Sequence, residues 1–491
     1  MADISSLTKD PPYERNIFTN RTLNMRSIQA IGYDMDYTLI NYDAKLWEQT
    51  AYEHLKNKLS NLGWPVEDLR FDPEMMIRGL VIDKKLGNIV KPNRFGYVKR
   101  AYHGTRPIGF NTHRKIYTRI SVDIRDDRWF LLTTLFDLSV ACIYAQLVDK
   151  LDRNNLPQVQ DYANLQKEVS SNLDAAYAEG LLKDEILKDP LRYVIEDPDT
   201  PLALLDQKQS GKKLLLITNS DWAYVKGIME YAFDPNLPDG ITWRNLFDLI
   251  IVLANKPNFF FLREQPAFEV VTEEGLLKPV IGPLKEGSIY LGGHASLVEE
   301  TLNLQSSDIM YVGDHVEADV HVTKSILRWR TALVLRELEE EFVCLNKFKR
   351  QQAELSRLMR KKTKLEQKRA RLRLQIQRTN HGYGPESGVP LAEINLQREK
   401  LSKDISTLDE HISPLAKASQ MMFNPRWGLL TRAGYDKSYL ARQLEGYADI
   451  YMSRVSNFLY QTPFAYLRST RSSLPHDGGM IGGSKVWRAV D

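Results

Sequence analysis

Four apolar runs of strand length, each ending in polar side chains, are distributed along the first two thirds of the chain. They cover residues 28–33, 212–217, 247–254 and 309–312. Runs this continuous are typical of strands that are buried on both faces of a parallel sheet. Helix-compatible stretches follow the first two runs, at 41–62 and 221–233. Strands that alternate with helices predict an α/β fold with a Rossmann-like core around a parallel sheet.

The polar side chains at the ends of these runs form a candidate site. They are Asp34, Asp36 and Thr38 after the first run, Thr218, Asn219 and Ser220 after the second, Lys256 after the third, and Asp314 and Asp319 after the fourth. Ligands of open α/β sheets bind beyond the carboxyl ends of the strands, so these groups are expected to converge. In an extended strand Asp34 and Asp36 lie on one side, about 6–7 Å apart, where they need a cation or different protonation states. For these two residues alone, an acidic surface turn is an equally good explanation.

The predicted strands define a core domain, and the other segments are assigned relative to it. The core is predicted to consist of residues 26–60 and 205–335. Residues 1–25 are predicted to be a leader, and they contain no apolar signal sequence. Residues 61–204 are expected to form mostly an inserted cap domain. Within it, short strand patterns punctuated by glycine occur at 77–102, and the sequence leaves open whether they extend the core sheet.

The pattern changes to a heptad repeat over residues 336–419. Its second arm repeats an apolar residue every seven positions, at Ile394, Leu401, Leu408 and Leu415. An antiparallel helical hairpin with coiled-coil pairing is predicted, and its first arm is strongly basic. The aromatic stretch at 420–475 is predicted to form helices that pack on the core or on a second subunit. Residues 476–491 are predicted to be a flexible tail.

Composition narrows the class of protein. The 491 residues include 66 basic and 63 acidic side chains, with a net charge of +3, which argues against a general nucleic-acid binder. No apolar run approaches the ~18 residues that a membrane span requires. The two cysteines, Cys142 and Cys344, form neither a disulfide framework nor a CxxC metal site. A cytoplasmic protein without membrane contact is therefore predicted, and nucleic acid is not an expected partner.

The candidate residues supply what phosphomonoester hydrolysis requires. Asp34 suits the nucleophile, and Asp36 suits the acid that protonates the leaving oxygen and then the base that activates water. Thr218 and Lys256 suit the remaining phosphate oxygens. Hard oxygen ligands favour Mg²⁺ at this point. Its expected ligands are Asp34, Asp36 through its backbone carbonyl, Asp314 and Asp319.

Four ordered motifs carry a family resemblance. DMDYT at 34–38, TNS at 218–220, Lys256 within ANKP and GDHVEAD at 313–319 resemble the motifs of the haloacid dehalogenase-like (HAD) phosphatases. More closely, DMDYTL, RGLVID, GNIVK, TLFDL, TNSDW, DLIIVLANKP, YVGDH, GYADIY and PFAYL resemble the cytosolic purine 5′-nucleotidase family, over roughly residues 28–477. Several motifs in a fixed order are far more specific than any one of them.

The resemblance implies a Mg²⁺-dependent hydrolase of purine nucleoside 5′-monophosphates that forms an aspartyl-phosphate. It also implies that the phosphate can be passed to another nucleoside instead of water. By position, Phe136 would stack on the base, and Asp174 and Lys183 would contact base and phosphate. The further expected substrate contacts are Thr38, Asn219 and Ser220. A homo-oligomer, either a dimer or a tetramer, is expected.

The chain departs from the family pattern where the base would be recognised. Ser170 replaces an arginine that would recognise a 6-oxo group, and Tyr177 and Ala178 replace a His-Tyr pair, so the preferred base stays open. Glu317 replaces an aromatic residue of the family's effector site. Two alternatives remain: the same chemistry on a non-nucleotide phosphate ester, and a non-enzymatic interaction protein that uses the basic hairpin.

Overall fold

A ten-stranded sheet forms the centre of the protein in this computed structural model, which describes residues 11–470. Its strands, in chain order, are β1 Phe18–Thr19, β2 Ala30–Tyr33, β3 Lys213–Ile217, β4 Leu249–Val252, β5 Ala267–Val270, β6 Leu277–Pro279, β7 Ser288–Gly292, β8 Ile309–Gly313, β9 Arg330–Val334 and β10 Ile450–Met452. In space they follow the order β1-β10-β9-β8-β2-β3-β4-β7-β5-β6. All neighbours from β10 to β7 are parallel. The predicted α/β fold with a largely parallel central sheet is confirmed.

One glycine decides how the middle of this sheet packs. Gly32 lies in β2, next to β8, and a Cβ atom there would lie 2.8 Å from Cδ2 of Tyr311. Because glycine has no side chain, the fully buried Tyr311 ring lies against β2. Its hydroxyl donates to the carbonyl of Ile217 at 2.8 Å. The tyrosine hydroxyl is thereby fixed near the carboxyl ends of the central strands.

Helices make up much of the rest of the described chain. The α-helices are Ala44–Asn61, Phe110–Tyr117, Leu138–Leu151, Tyr162–Ala178, Leu181–Lys188, Pro190–Tyr193, Asp199–Gln209, Trp222–Phe233, Trp243–Leu246, Asn258–Phe261, Ala295–Leu302, Leu338–His381, Leu391–Gln420, Tyr439–Tyr447 and Phe458–Gln461. Two π-helical segments follow β8, at Val316–His321 and Thr323–Leu327. The predicted helices after β2 and β3 begin at Asp43 and Asp221, whose side chains accept hydrogen bonds from the first turn.

Residues 77–102 do not extend the core sheet. They contribute to a separate antiparallel sheet with the strands Val81–Asp83, Asn88–Pro92, Val98–His103, Arg106–Pro107 and Trp129–Leu131, called the second sheet below. Turns containing Gly87 and Gly104, both at positive φ, return the chain antiparallel to itself. Joining the parallel core would instead need crossover connections of a dozen or more residues.

The helix Ala44–Asn61 belongs with the predicted cap more than with the core. It packs against Leu138–Leu151 and Tyr162–Ala178, both within 61–204. Glu48 on this helix accepts a hydrogen bond from the backbone N–H of Ser139 at 2.7 Å. This helix therefore packs on the predicted cap, and the boundary between core and cap stays a prediction.

Both ends of the described chain are built into the core sheet. β1, from the predicted leader at 1–25, pairs antiparallel with β10, which comes from the aromatic segment at 420–475. β10 also pairs parallel with β9, and Ile450 and Met452 are buried on either side of a half-buried residue. Period-two burial is that of a strand, so the segment predicted to form helices also contains a strand, and β1 lies within the predicted leader. The domain bounds themselves stay predictions. Residues 1–10 and the predicted tail at 476–491 lie outside the described residues.

Residues 340–429 form a compact unit of their own. It contains most of Leu338–His381 and all of Leu391–Gln420. Its apolar cluster consists of Leu355, Leu358, Leu408 and Ile412. Lys362 donates to Asp409 at 2.5 Å, and Ser419 donates to Gln352 at 3.2 Å. The helices thus run antiparallel, whereas coiled-coil pairing stays a prediction.

The described part of the chain contains no helix that is long and apolar enough to cross a membrane. Cytoplasmic location and assembly into a dimer or tetramer stay predictions.

Candidate active site

The carboxyl ends of four parallel strands place predicted residues side by side. Asp34 directly follows β2, Thr218 follows β3, and Asp314 follows β8, while Lys256 lies in the loop after β4. In the sheet β2 lies between β8 and β3, with β4 next to β3. The four side chains therefore meet at one edge of the sheet, where ligands of α/β proteins bind.

Lys256 is in contact with two carboxylates of this group. Its Nζ lies 2.7 Å from Oδ1 of Asp34 and 2.8 Å from Oδ1 of Asp319, and it donates to the hydroxyl of Tyr311 at 3.0 Å. Burial by itself lowers the pKa of Lys256, but the charges of Asp319 and Asp34 outweigh burial and hold the pKa well above its usual value. The lysine is therefore a fixed positive charge at the centre of the site.

The loop that carries Lys256 is held by the end of β3. Asn219 accepts a hydrogen bond from the backbone N–H of Lys256 at 2.6 Å and donates to its carbonyl at 3.0 Å. The carbonyl of Thr218 accepts from the backbone N–H of Ala254 at 3.0 Å. Asn219 thus positions Lys256, and its direct contact with a substrate stays a prediction.

Asp34 presents one oxygen to the protein and keeps the other apart. Oδ1 accepts from the backbone N–H of Met35 at 2.8 Å and also contacts Lys256. Burial raises the pKa of Asp34; Lys256 opposes this effect and Asp319 adds to it, and the resulting pKa is about 6. Both contacts use Oδ1, so neither of them engages Oδ2.

Three buried carboxylates surround this lysine. Asp34, Asp314 and Asp319 each offer an oxygen, and these oxygens lie within 4.8 Å of one another. Burial raises the pKa of Asp314 well above its usual value, and the charges of Asp319 and Asp34 raise it further. One ammonium group cannot balance three carboxylates. A buried set of hard oxygen donors with excess negative charge fits a divalent cation such as Mg²⁺.

The close approach of Asp319 depends on the last residue of β8. A Cβ atom on Gly313 would lie 2.3 Å from Oδ2 of Asp319. The backbone N–H of His315 donates to the same oxygen at 3.1 Å. Glycine at this position therefore lets Asp319 fold back over the strand end and join the other two carboxylates.

Asp36 lies outside this carboxylate cluster. Its Oδ1 accepts from the hydroxyl of Tyr42 and its Oδ2 from the hydroxyl of Ser220, both at 2.6 Å. Ser220 in turn accepts from Nζ of Lys183 at 2.9 Å. Burial raises the pKa of Asp36, while Lys183 opposes the shift. Both carboxylate oxygens are thus engaged by the protein, so only the backbone carbonyl of Asp36 stays a predicted metal contact.

Comparisons with known proteins agree on one family. The 5′ nucleotidase family matches residues 17–479. A 5′-nucleotidase domain-containing protein of Dictyostelium discoideum is 25% identical over 491 residues, which is 97% of this chain and 77% of the relative. The 5′-nucleotidase domain-containing protein 2 of Homo sapiens is 26% identical over 476 residues, 94% of this chain and 85% of the relative.

The chain belongs to the 5′ nucleotidase family. The resemblance seen in the motifs is thereby confirmed at the level of this family. A solved structure of a predicted phosphoglycolate phosphatase from Haemophilus somnus 129pt overlaps 63% of this chain and 85% of its own, at 12% identity and a TM-score of 0.26. An overlap this weak supports no conclusion about the site.

The three residues expected at the base differ in their surroundings in this 5′ nucleotidase family member. Lys183 reaches the site through Ser220. Phe136 is half-buried, and its ring lies edge-on to those of Tyr37, Trp47 and Tyr177, with centroid distances of 4.9, 5.3 and 6.1 Å. Asp174 is exposed on its helix. The structure thus brings Lys183 to Asp36, places Phe136 in an aromatic cluster beside Tyr37, and leaves Asp174 at the surface.

The two predicted threonines have different hydrogen bonds. Thr218 Oγ1 accepts from the backbone N–H of Ser220 at 3.1 Å. Thr38 Oγ1 is buried and has no hydrogen-bond partner within residues 11–470. A buried hydroxyl without a partner costs about 1–3 kcal/mol, so a ligand or water partner for Thr38 would stabilise this loop.

Sequence reasoning missed five side chains that contact or surround the candidate residues. They are Tyr42, Arg78, Thr134, Tyr311 and His315. Thr134 donates to Oδ2 of Asp314 at 3.4 Å, and burial lowers the pKa of His315 to about 4, so that its ring is neutral. Tyr42 and His315 could have been suspected from their positions beside the acidic motifs. Arg78 and Thr134 lie in the quoted stretches RGLVID and TLFDL, but neither stretch indicates a contact with Asp314, which is distant in the sequence.

Proposed function

We propose that this chain is a Mg²⁺-dependent 5′-nucleotidase that hydrolyses purine nucleoside 5′-monophosphates to nucleoside and phosphate. The observation that carries the proposal is the buried cluster of Asp34, Asp314 and Asp319 around Lys256, within a member of this family. Phosphate esters are dianions, so their catalysis needs fixed positive charge beside a nucleophile. Lys256 supplies that charge at 2.7 Å from Asp34.

The first step forms an aspartyl-phosphate. Oδ2 of Asp34 attacks phosphorus, and the bond between phosphorus and the 5′ oxygen of the nucleoside breaks. The leaving oxygen takes a proton from Asp36, whose pKa is raised by burial so that the carboxyl group holds a proton closer to neutral pH. The nucleoside leaves as a neutral alcohol.

The second step releases phosphate. The Asp36 carboxylate, which accepts hydrogen bonds from Tyr42 and Ser220, takes a proton from water. The water oxygen bonds to phosphorus and the bond to Asp34 breaks. A second nucleoside in place of water would give phosphotransfer. Asp34 and Asp314, with Asp319 beside them, would hold Mg²⁺, which when bound neutralises carboxylates and polarises a phosphate oxygen.

Phosphate release from a panel of nucleoside 5′-monophosphates, with and without Mg²⁺, tests the proposal. Purine nucleotides are expected to be hydrolysed only with Mg²⁺. Asp34→Asn is expected to lower kcat at least ~10³-fold, because an amide cannot act as the nucleophile. Asp308→Asn, a carboxylate at the start of β8, is the matched control and keeps wild-type activity. No release from any nucleotide overturns the function, and an active Asp34→Asn variant overturns the nucleophile.

A second candidate keeps the chemistry and changes the leaving group. Phe136 already packs against three aromatic rings, and Asp174 is exposed on its helix. Neither residue therefore marks a preformed pocket for a base. A non-nucleotide phosphate ester would need neither residue. Sugar phosphates and p-nitrophenyl phosphate in the same panel distinguish the two, because Phe136→Ala would lower kcat/KM only for nucleotides.

A further inference from the structure

Arg78 is a buried arginine that contacts Asp314, a member of the carboxylate cluster. It lies just before the first strand of the second sheet, and only 2% of its surface is exposed. Its Nη1 donates to the backbone carbonyl of Asp314 at 2.9 Å. Its Nε donates to Oε1 of Glu337 at 2.9 Å, and its Nη2 donates to Oε2 of the same residue. The guanidinium thus joins the second-sheet region to two groups of the core.

The two core groups lie at the ends of neighbouring strands. Asp314 follows β8 and Glu337 lies three residues after β9, which is paired with β8. A two-pronged contact between guanidinium and carboxylate fixes direction as well as distance. Glu337 therefore holds Arg78 in one orientation, and the hydrogen bond from Arg78 fixes the position of the Asp314 carbonyl.

The distances show which part of Asp314 the arginine serves. Nη1 of Arg78 is 2.9 Å from the carbonyl oxygen of Asp314 but 3.9 Å from Oδ2 of its carboxylate. The first distance is a hydrogen bond and the second is not. Glu337 balances the charge of Arg78, so the arginine contributes position without taking the carboxylate of Asp314 away from the cluster.

We propose that Arg78 and Glu337 form a clamp that positions Asp314 for a divalent cation. The proposal rests on the proposed cation site and concerns two residues that lie outside the four ordered motifs at 34–38, 218–220, 256 and 313–319. Removal of Arg78 frees the main chain of Asp314. Removal of the charge on Glu337 releases Arg78, which then pairs with Oδ2 of Asp314 and competes with the cation. Both changes weaken cation binding although neither residue touches the cation.

Direct binding of Mn²⁺ by the full-length protein, measured from the free-ion electron paramagnetic resonance signal, tests the clamp without any turnover. Arg78→Met and Glu337→Gln are each expected to weaken Mn²⁺ binding about 10–100-fold, the usual effect of removing an outer-shell partner. Arg78→Lys keeps a donor for the carbonyl but loses the two-pronged contact, so its affinity falls between wild type and Arg78→Met.

Arg128 provides the matched control. It makes the same kind of two-pronged contact with buried Asp83 in the second sheet, at 2.8 and 2.6 Å. Arg128→Met therefore removes an arginine that makes a comparable two-pronged contact, although its side chain is partly exposed, and leaves Mn²⁺ binding unchanged. If Arg78→Met folds poorly, Arg78→Lys carries the same comparison.

Three outcomes overturn the proposal. Wild-type Mn²⁺ affinity in Arg78→Met or, if that variant does not fold, in Arg78→Lys contradicts the clamp and leaves the cation site intact. An equal loss in Arg128→Met shows a general effect of lost stability. Absence of Mn²⁺ binding in the wild type removes the cation site of the proposed function, and the clamp with it.

Discussion

Two ionic groups of the protein differ in their charge balance. One lies in the second sheet and the other at the carboxyl ends of the core strands. In the second sheet Asp83 is fully buried and faces Arg128 through two hydrogen bonds, and Tyr117 donates to it at 3.0 Å. One acid meets one base, and the group is neutral. At the core, Asp34, Asp314 and Asp319 share the ammonium of Lys256, while Arg78, 3.9 Å from Oδ2 of Asp314, is already paired with Glu337.

The difference separates a structural contact from a binding site. A buried pair whose charges cancel is complete, and the fold gains nothing from a further ion. A buried set with excess negative charge raises the pKa of its members, as burial and the neighbouring carboxylates do for Asp314. In the proposed function, a cation from solution completes such a set. The charge balance is therefore the feature by which the proposed binding site differs from the structural contact.

The largest effect is expected from removing the positive charge in each group. Lys256→Met leaves three carboxylates without their ammonium, and Arg128→Met leaves Asp83 unpaired. Each change is expected to lower the free energy of unfolding by roughly 3–5 kcal/mol in the absence of divalent cations. Mg²⁺ is expected to restore part of the loss in Lys256→Met alone, since a cation at 100 times its dissociation constant adds about 2.7 kcal/mol.

Urea unfolding of both variants and the wild type, with EDTA and with Mg²⁺, measures this. The wild type shows how much Mg²⁺ stabilises an intact cluster, and Ca²⁺-free, EDTA-treated protein sets the baseline. Equal recovery of both variants by Mg²⁺ would mean that the cation acts elsewhere on the chain and that the two groups do not differ in the way their charges indicate.

Replacing one acid in each group is expected to change the free energy of unfolding by less, and in different directions for the two groups. Asp83→Asn leaves the guanidinium of Arg128 without its carboxylate and is expected to cost about 3 kcal/mol. Burial and the neighbouring carboxylates favour the protonated form of Asp314, and an amide resembles that neutral form, so without cation Asp314→Asn is expected to change the free energy of unfolding by less than about 1 kcal/mol or to raise it. The same variant loses the stabilisation by Mg²⁺. A loss of about 3 kcal/mol in both would contradict the difference in charge balance.

The core group was accessible from the sequence because its signals are local. An apolar run that ends in a carboxylate marks both a strand and its functional end, as for Asp34 and Asp314. The rule that ligands bind at the carboxyl ends of parallel strands then joins residues almost 300 positions apart. Gly32 and Gly313 refine this geometry by allowing the close approach of Tyr311 and Asp319.

The supporting residues were not accessible, because their contacts depend on how separate sheets pack. Arg78 lies in the stretch RGLVID, but nothing local in that stretch indicates what the arginine contacts, and its partners Asp314 and Glu337 are more than 200 residues away. β10 was hidden for a related reason. A strand of three residues in an aromatic segment is too short to show a period, and its pairing with β9 is a tertiary choice.

Glu48 extends the comparison to a buried acid that has no charged partner. It is 1% exposed, its Oε2 accepts from the backbone N–H of Ser139, and its Oε1 has no hydrogen-bond partner within residues 11–470. Burial raises its pKa from 4.5 to about 8, opposed by the hydrogen bonds from Ser139. A carboxyl group in this position balances its charge by keeping its proton.

Glu48 gives the free energy of unfolding a defined dependence on pH. The unfolded chain releases the Glu48 proton near pH 4.5, and the folded protein holds it up to about pH 8. Between these values the folded state binds more protons, so the free energy of unfolding falls as pH rises and levels off above pH 8. Glu48→Gln mimics the protonated form and is expected to flatten this slope. The free energy of unfolding of the variant, relative to wild type, is therefore expected to be higher at pH 8 than at pH 5 by about 1 kcal/mol or more.

Urea unfolding at pH 5, 6.5 and 8 measures the slope, with Glu53→Gln on the exposed side of the same helix as the control. A slope that survives in Glu48→Gln would assign the pH dependence to the carboxylates of the core cluster instead, and the neutral state of Glu48 would be wrong.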